Sequence, residues 1–369
     1  MSNNAVTRRR FMAGTLGTGA AALLARFANK ASGQDGGQYN GNGEHRGGAH
    51  SDGVSGPMGR VDHARNGFHP TEILTDFNYG DRVVEENGRT IREYDFIAID
   101  QEVEIAPGIF FPAWTFNGRI PGPTIRCTEG DLIRINFINA SEHPHTIHFH
   151  GIHPASMDGV PIMENMQHMP RDLTGPGMIP SGESFTYEFT AEPFGMHLYH
   201  CHAIPLKRHI HKGLYGAFII DPPEPRPEAH EMVMVMNAFD TNFDNANEVY
   251  AVNTIAFAYN NDPIQIKVNE LVRIYLVNLV EFDLLNSFHL HANFFDYYDT
   301  GTTLEPTLRT VDTIMQVQGQ RGILEFRYRF PGMFMFHAHV SEFAELGWMG
   351  MFHVVEDATI IGMEGMNHD

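Results

Sequence analysis

The sequence predicts an all-β protein built from two similar β-sandwich domains. From about residue 83 onward, short apolar segments of strand length lie between Gly- and Pro-rich turns, and helical periodicity is nearly absent. A proline-rich stretch at residues 221–227 divides this region into two halves. The second half repeats the pattern of the first, as expected for two copies of one domain.

Four motifs of the first half recur in the second half in the same order, and they set the bounds of the two domains. The predicted domains therefore cover residues 83–222 and 231–357, with a linker at 223–230 and a Met- and His-containing tail at 358–369. The matched pairs are Gly130–Asn139 with Asn269–Asn278, His145-x2-His148-x-His150 with Asn286-x2-His289-x-His291, Gly195–His202 with Gly332–His339, and Gly213–Gly216 with Gly347–Gly350.

The N-terminal residues precede both domains. Residues 7–12 read T-R-R-R-F-M and precede a short apolar run, which predicts a twin-arginine export signal over residues 1–32. The alternative, a membrane anchor, needs a longer apolar run. Residues 33–82 are rich in glycine, which predicts a flexible segment. Its histidines are interpreted as solvated linker residues, with copper capture as the alternative; they are His45, His50, His63 and His69.

Composition limits the function. The 369 residues are enough for two domains, and a formal net charge of -20 provides no basic field to attract nucleic acid. With only two cysteines, no disulfide is predicted if one of them binds metal. Cys127 lies in a strand-like run and is interpreted as a small buried hydrophobe.

The chemistry centres on residues 197–216. Cys201 lies between His200 and His202, so on a strand its thiolate points one way and both imidazoles the other. A thiolate with two imidazoles and a weak or absent axial ligand forms a blue-copper electron-transfer site. The upstream imidazole is predicted to be His145.

Two histidines compete for the second imidazole of this site. His209 precedes Leu214 by five residues, which resembles the spacing between this ligand and the axial position in blue-copper proteins. This resemblance favours His209 as the ligand and Leu214 as an axial residue that does not bind. His211 is interpreted as a solvent-facing or supporting residue. An axial leucine stabilises Cu(II) less than a thioether does, so a more oxidising site is expected.

Four His-x-His pairs supply eight further imidazoles, enough for a three-copper cluster. On strands, both members of a pair project from one face and can hold neighbouring metals. Zinc also suits imidazoles, but the linked thiolate favours copper. The pairs are His148/His150, His200/His202, His289/His291 and His337/His339.

The repeat fails at the thiolate site. In the second half, Asn286 replaces His145 and Ala338 replaces Cys201, while Phe343 and Trp348 stand in the places of the late His and Leu. The second domain is therefore predicted to lack the thiolate site and to keep its share of the cluster.

These motifs, with N-G-R-I-P-G-P-T-I-R at 117–126 and M-D-G-V-P at 157–161, resemble a two-domain multicopper oxidase over residues 85–357. The resemblance implies the cupredoxin Greek-key fold and four coppers per chain. It places type 1 copper in the first domain, as in copper nitrite reductases. The implied ligands are His145, Cys201 and His209 for type 1, His148 and His289 for type 2, and His150, His200, His202, His291, His337 and His339 for the type 3 pair.

Two carboxylates and one loop complete the predicted site. Asp158 resembles the family acid near type 2 copper, and Glu342 resembles the acid that supplies protons on the type 3 side; ordinary turn or cap carboxylates are the alternative. The loop with Met163, Met166 and Met169 resembles those of bacterial cuprous oxidases, but packing by flexible apolar side chains is the favoured interpretation.

The function expected from these residues is oxidation of a one-electron donor coupled to reduction of O2 to water. The donor is left open among phenols, Cu(I), other metal ions and a redox protein. The alternatives are a copper nitrite reductase and a periplasmic copper-binding protein. The resemblance further implies a homotrimer with the cluster between subunits. The twin-arginine motif predicts export to the periplasm or beyond, and its short apolar run predicts no membrane span.

Overall fold

The computed structural model describes residues 59–356. The predicted export signal, most of the Gly- and His-rich segment with His45 and His50, and the C-terminal tail lie outside the described residues. Within them the protein is all-β, as predicted, with two sheets in each half of the chain.

The first domain is a sandwich of two five-stranded sheets. One sheet has the order β1-β5-β10-β9-β7; the other has the order β2-β3-β6-β8, with β4 paired to β3. The strands are β1 Phe77–Asn78, β2 Arg82–Glu86, β3 Arg89–Ala106, β4 Ile109–Phe116, β5 Thr124–Thr128, β6 Leu132–Asn139, β7 His148–Phe149, β8 Ser184–Thr190, β9 Gly195–His200 and β10 Tyr215–Asp221.

The second domain pairs a six-stranded sheet, β12-β11-β14-β19-β16-β17, with a five-stranded sheet, β13-β21-β20-β15-β18. The strands are β11 His230–Phe239, β12 Val249–Val252, β13 Ile264–Lys267, β14 Val272–Asn278, β15 Leu285–Leu290, β16 Phe295–Asp299, β17 Leu308–Val311, β18 Thr313–Val317, β19 Arg321–Phe326, β20 Gly332–His337 and β21 Met349–Val355.

Helices are short and lie in the connections. They end after one or two turns, so few side chains of the site depend on helical packing. The α-helices are α1 His63–Asn66, α2 Pro70–Ile73, α3 Arg171–Thr174, α4 Leu206–His211, α5 Ala258–Asn261 and α6 Ser341–Glu345, with 3-10 turns at Ala155–Met157 and Glu164–Met166. No helix among residues 59–356 is long and apolar enough to cross a membrane.

Each sandwich has its own apolar core, and a third cluster joins the two domains. Phe96 and Phe137 belong to the core of the first domain, and Phe288 and Phe352 to that of the second. The joining cluster contains Phe111 of the first domain and residues of β11 and β14 of the second. Burial of this apolar surface fixes the two domains of one chain against each other.

Residues 59–82 differ from the flexible segment expected from their composition. Val61, Phe68, Ile73 and Leu74 are buried, and their side chains join the apolar clusters. The segment also adds β1, which pairs in parallel with β5. The few large apolar side chains of this segment pack between the two domains or in the core of the second. Their burial orders the segment, although the composition of residues 33–82 predicts flexibility.

Arg126 anchors the hinge that follows β10. Its guanidinium contacts Asp221 of β10 and Glu231 of β11, and Arg273 shares the Glu231 carboxylate. These partners hold the pKa of Glu231 below its ordinary value even though burial opposes this. A buried charge network of this kind is costly to break.

Candidate metal centres

The thiolate site, defined as His145, Cys201 and His209, is fully assembled at one end of the first sandwich. Cys201 directly follows β9, and His209 lies on α4. The Cys201 Sγ is 3.7 Å from His145 Nδ1 and 3.3 Å from His209 Nδ1, and the two Nδ1 atoms are 3.1 Å apart. Donors at about 2.0–2.3 Å from one ion stand about 3.3–3.8 Å apart, so the three atoms fit a single metal to within a few tenths of an ångström.

Burial keeps both imidazoles neutral. It lowers the pKa of His145 to about 3 and that of His209 to about 4, so both lone pairs are free at neutral pH. The outer nitrogen of His145 contacts Ser141 Oγ at 2.9 Å, which fixes the ring. Burial also raises the pKa of the Cys201 thiol to about 11, so the metal itself must displace this proton.

Leu214 and Thr146 complete the surroundings of the thiolate. Leu214 is buried, and its carbonyl accepts the Cys201 N–H at 2.8 Å. The Thr146 N–H donates to Cys201 Sγ at 3.3 Å, and the Thr146 hydroxyl accepts the His202 N–H at 2.9 Å. Thr146 therefore contacts both the thiolate and the backbone of a cluster histidine.

The structure separates His209 from His211. The ring of His211 points away from Cys201, and its Nε2 accepts the backbone N–H of Asp240 in the second domain at 3.0 Å. His211 is buried rather than solvent-facing, so it links α4 to the other domain.

Four histidines of the first domain form the first-domain cluster: His148, His150, His200 and His202. In the antiparallel pair β7 and β9, His148 lies opposite His200, and the His150 and His200 Nε2 atoms are 2.9 Å apart. The His200 Nδ1 contacts the Cys201 carbonyl at 2.9 Å, which leaves Nε2 for metal. Burial lowers the pKa of His150 to about 3 and that of His200 to about 4.

Asp158 contacts the cluster through a histidine. Its Oδ1 lies 2.9 Å from His148 Nδ1, and this hydrogen bond holds the pKa of Asp158 below its ordinary value. A carboxylate that accepts the outer N–H of a metal-binding imidazole orients the ring and raises its basicity. The ring of His153 packs edge-on against His148 on the same side.

The second-domain cluster repeats this arrangement with His289, His291, His337 and His339. His289 lies opposite His337 in the β15–β20 pair, and the His291 and His337 Nε2 atoms are 2.9 Å apart. The His337 Nδ1 contacts the Ala338 carbonyl at 2.7 Å, as His200 does with Cys201. His289 Nδ1 has two partners, the Asp312 carbonyl and the Thr313 hydroxyl, each at 2.9 Å.

The two clusters do not meet within one chain. In residues 59–356, every hydrogen bond and ring contact among these eight histidines stays inside one cluster. Each cluster presents four imidazoles, half of what a three-copper cluster needs.

The place of the thiolate site in the second domain is filled by side chains. Trp348 is fully buried against Phe288 and Phe336, and Ala338 donates its N–H to the Trp348 carbonyl at 3.2 Å. Asn286, in the place of His145, is buried. The second domain thus keeps the backbone of the site without its metal ligands.

Glu342 and the methionine loop lie at the surface of the chain. Glu342 is the second residue of α6 and is exposed, three residues after His339. Met163 and Met169 are exposed in the connection that also carries Asp158. Among the described residues, the Glu342 carboxylate has no hydrogen-bond partner within the chain, while its backbone carbonyl accepts the Leu346 N–H at 2.9 Å.

Sequence reasoning missed Trp114, Thr146 and His153. The centre of the Trp114 ring lies 5.2 Å from the centre of the His145 ring and 4.8 Å from that of the His209 ring. No motif signals Trp114, because it comes from β4, far from the histidines in sequence. Thr146 could have been found from its place between His145 and His148.

Family models described as multicopper oxidase match residues 100–225 and 225–358. The chain belongs to the multicopper oxidase family. A solved structure described as a multicopper oxidase is 56% identical, with a TM-score of 0.76, and covers 80% of this chain and 100% of that one. Membership in the family implies copper as the metal and confirms the two-domain cupredoxin fold.

Curated relatives include enzymes of a second type. A copper-containing nitrite reductase of Neisseria gonorrhoeae is 27% identical over 65% of this chain and 62% of its own length. Copper resistance protein A of Escherichia coli is 36% identical over 36% of this chain and 20% of its own length. The chain thus spans less than two thirds of the length of the nitrite reductase it matches. The match confirms the predicted relationship to copper nitrite reductases.

Proposed function

We propose that this protein couples one-electron oxidation of a donor to four-electron reduction of O2 to water. The observation that carries the proposal is the position of Cys201 between His200 and His202. Its side chain belongs to the thiolate site, and its neighbours in sequence belong to the first-domain cluster. A site that accepts single electrons is thereby joined by one residue to a site with room for several metals.

Four coppers per chain account for the donor groups. His145, Cys201 and His209 hold a type 1 copper, with Leu214 as the axial residue that does not bind. The family resemblance assigns His148 and His289 to a type 2 copper, and each uses Nδ1 for a hydrogen bond and keeps Nε2 free. The remaining six cluster histidines hold a type 3 pair: His150, His200, His202, His291, His337 and His339.

Copper supplies the redox chemistry in this proposal, and the chain supplies orientation and protons. Thr146 fixes the thiolate and the His202 backbone in one arrangement. Asp158 holds His148 and carries a negative charge at neutral pH, because its pKa is lowered. Glu342 delivers protons to the other side of the cluster.

The cluster forms between chains, in a homotrimer. Each chain has two half-clusters that do not touch, so the first-domain cluster of one chain meets the second-domain cluster of the next. Exposed apolar side chains surround the second-domain cluster: Phe294 is 56% exposed, and Met315 and Val317 of the edge strand β18 are 56% and 51% exposed. Such a head-to-tail contact closes into a ring, which three chains complete as six domains.

The site of action follows from the twin-arginine signal. We propose export in the folded state to the periplasm or beyond, which suits a protein that acquires metal before export. An export assay with Arg8 and Arg9 replaced by Lys tests this. Processed protein outside the cytoplasm should be lost in the variant, and unchanged processing would contradict the proposal.

O2 uptake by the copper-loaded protein tests the function. A phenol, Cu(I), Mn(II) and nitrite are supplied in parallel, with metal content measured on the same sample. Uptake of O2 with a phenol or Cu(I) at four coppers per chain supports the oxidase. Turnover of nitrite alone would establish the nitrite reductase, a class found among the curated relatives. A one-copper catalytic site of that class leaves His148, His202, His291 and His339 without a use. Copper binding without any turnover would indicate a copper-binding protein.

A further inference from the structure

Three cations lie on or directly beside α4, the helix that carries His209. They are Lys207, Arg208 and Lys212. None of them makes an ion pair with a carboxylate in residues 59–356, although the whole chain carries a formal charge of -20. The helix of the thiolate site is therefore a local exception in an acidic protein.

Aromatic rings hold these cations in place of carboxylates. The Arg208 guanidinium lies 5.4 Å from the centre of the Trp114 ring, and Lys212 Nζ lies 5.1 Å from the Phe243 ring. Lys207 Nζ lies 5.8 Å from the Phe282 ring and contacts the neutral Asn245 side chain at 2.9 Å. Contact with a ring face favours a cation without neutralising its charge.

Three carboxylates that act electrostatically on α4 or on Lys212 are engaged elsewhere. The Asp100 carboxylate accepts the Ser141 hydroxyl and the Glu142 N–H. Glu281 accepts the Gln318 side-chain N–H, and Asp240 accepts two backbone N–H groups of its own loop. These groups lessen the local positive potential but leave the three cations unpaired.

Apolar side chains stand beside the cations. Ile204, two residues before the start of α4, is 55% exposed, and Phe243, under Lys212, is 54% exposed. Small molecules bind in concave sites that bury most of their surface. Projecting apolar side chains among cations instead suit a small protein–protein contact of the electron-transfer kind, which buries less than about 1,200 Å².

An aromatic path leads from this face to the thiolate site. His143 is exposed, and the centre of its ring lies 4.6 Å from the centre of the Trp114 ring. The centre of the Trp114 ring lies 4.8 Å from that of the His209 ring. An electron that arrives at the face therefore has ring-to-ring contact as far as a candidate copper ligand.

We propose that the electron donor is a redox protein that docks its acidic face on the α4 face, defined as His143, Ile204, Lys207, Arg208 and Phe243. This inference rests on the proposed function. The reduced metal centre of the partner would lose one electron, which would pass through Trp114 and His209 and reduce the Cu(II) that the thiolate site would hold to Cu(I); no bond is made or broken. The same cations repel Cu(I) and Mn(II), so free metal ions are poor donors at this face.

Anaerobic stopped-flow mixing tests the proposal with the copper-loaded protein. The probes are reduced plastocyanin, which carries an acidic patch, and reduced cytochrome c, which is basic. The plastocyanin rate constant should fall at least tenfold between low and high salt, whereas that of cytochrome c should not fall. Lys207→Gln with Arg208→Gln should lower the plastocyanin rate constant about tenfold at low salt. The control Arg82→Gln removes an exposed cation from β2 and should change it less than twofold.

Hydroquinone, a neutral donor, separates this inference from the proposed function. Hydroquinone-driven O2 uptake should be equal in the double variant and the unaltered protein. If hydroquinone supports uptake but the plastocyanin rate is independent of salt and of both cations, the docking proposal is overturned and the oxidase stands. A faster reaction with basic cytochrome c would also overturn it. If neither donor delivers electrons, the proposed function itself fails.

Discussion

Asp158 offers a direct test of the proposed type 2 site. The His148 Nδ1 has a single hydrogen-bond partner, the Asp158 carboxylate at 2.9 Å. Loss of such a partner typically weakens metal binding by about 10–100-fold, which is about 1.4–2.7 kcal/mol. Asp158→Asn keeps an acceptor oxygen but removes the charge, so we expect about tenfold weaker binding of one copper. Asp158→Ala removes both the acceptor oxygen and the charge, so binding of the same copper should weaken by about 100-fold.

The structure supplies a matched control in the other domain. His289 Nδ1 has two partners, the Asp312 carbonyl and the Thr313 hydroxyl. Thr313→Val leaves the carbonyl in place, so its effect should stay below that of Asp158→Ala. Chelator titration, with the type 2 signal followed by electron paramagnetic resonance and the type 1 colour as an internal reference, measures both variants.

The pH dependence has a definite sign. Because the hydrogen bond to His148 lowers the pKa of Asp158, the carboxylate stays charged from neutral pH down past its ordinary titration range. The unaltered protein should therefore hold this copper with constant carboxylate support above that range and lose the support only in stronger acid. Equal copper retention in Asp158→Ala and Thr313→Val at neutral pH would refute the assignment of Asp158 as the partner of a type 2 ligand.

Three further outcomes follow from the proposed sites. Leu214→Met adds a thioether donor and should lower the type 1 potential; a redox titration that gives an equal or higher value would contradict the axial position of Leu214. Glu342→Gln should keep the blue colour and slow steady-state O2 uptake, and unchanged uptake would exclude Glu342 as the proton donor. The proposed trimer would hold its metals between chains, so removal of copper should weaken it in light scattering; a fully loaded, active monomer would contradict the intersubunit cluster.

The donor groups could be predicted from the sequence because their spacing is short and follows strand geometry. Cys201 with its two flanking histidines, and the His-x-His pairs, each lie on one or two adjacent strands, where a period of two fixes which side chains share a face. The choice of His209 over His211 depended on a spacing, and the structure places only His209 beside Cys201.

Other parts depended on long-range packing that local patterns do not encode. Trp114 is held near the thiolate site by a long-range contact: its backbone N–H donates to the carbonyl of Lys212, the residue that follows α4, at 2.8 Å. The packing of residues 59–82 depends on four apolar side chains scattered through a glycine-rich stretch. The sequence does not show that Lys207, Arg208 and Lys212 lack carboxylate partners, because ion pairs depend on which distant side chains pack nearby.

The second domain shows which part of the thiolate site belongs to the fold and which to the metal. Cys201 and Ala338 donate their N–H groups to the carbonyls of Leu214 and Trp348, at 2.8 and 3.2 Å. The next residues, His202 and His339, donate theirs to the hydroxyls of Thr146 and Ser287, at 2.9 and 2.8 Å.

These backbone bonds are therefore kept with or without a thiolate, because they orient the cluster histidines on either side. A buried thiol with a pKa of about 11 adds nothing to that task, whereas a packed tryptophan adds apolar burial. In the second domain Asn286, Ala338 and Phe343 stand in the places of the three ligands, and Trp348 stands in the place of Leu214. The same backbone thus supports the second-domain cluster with a packed apolar side chain where the first domain has a thiolate site.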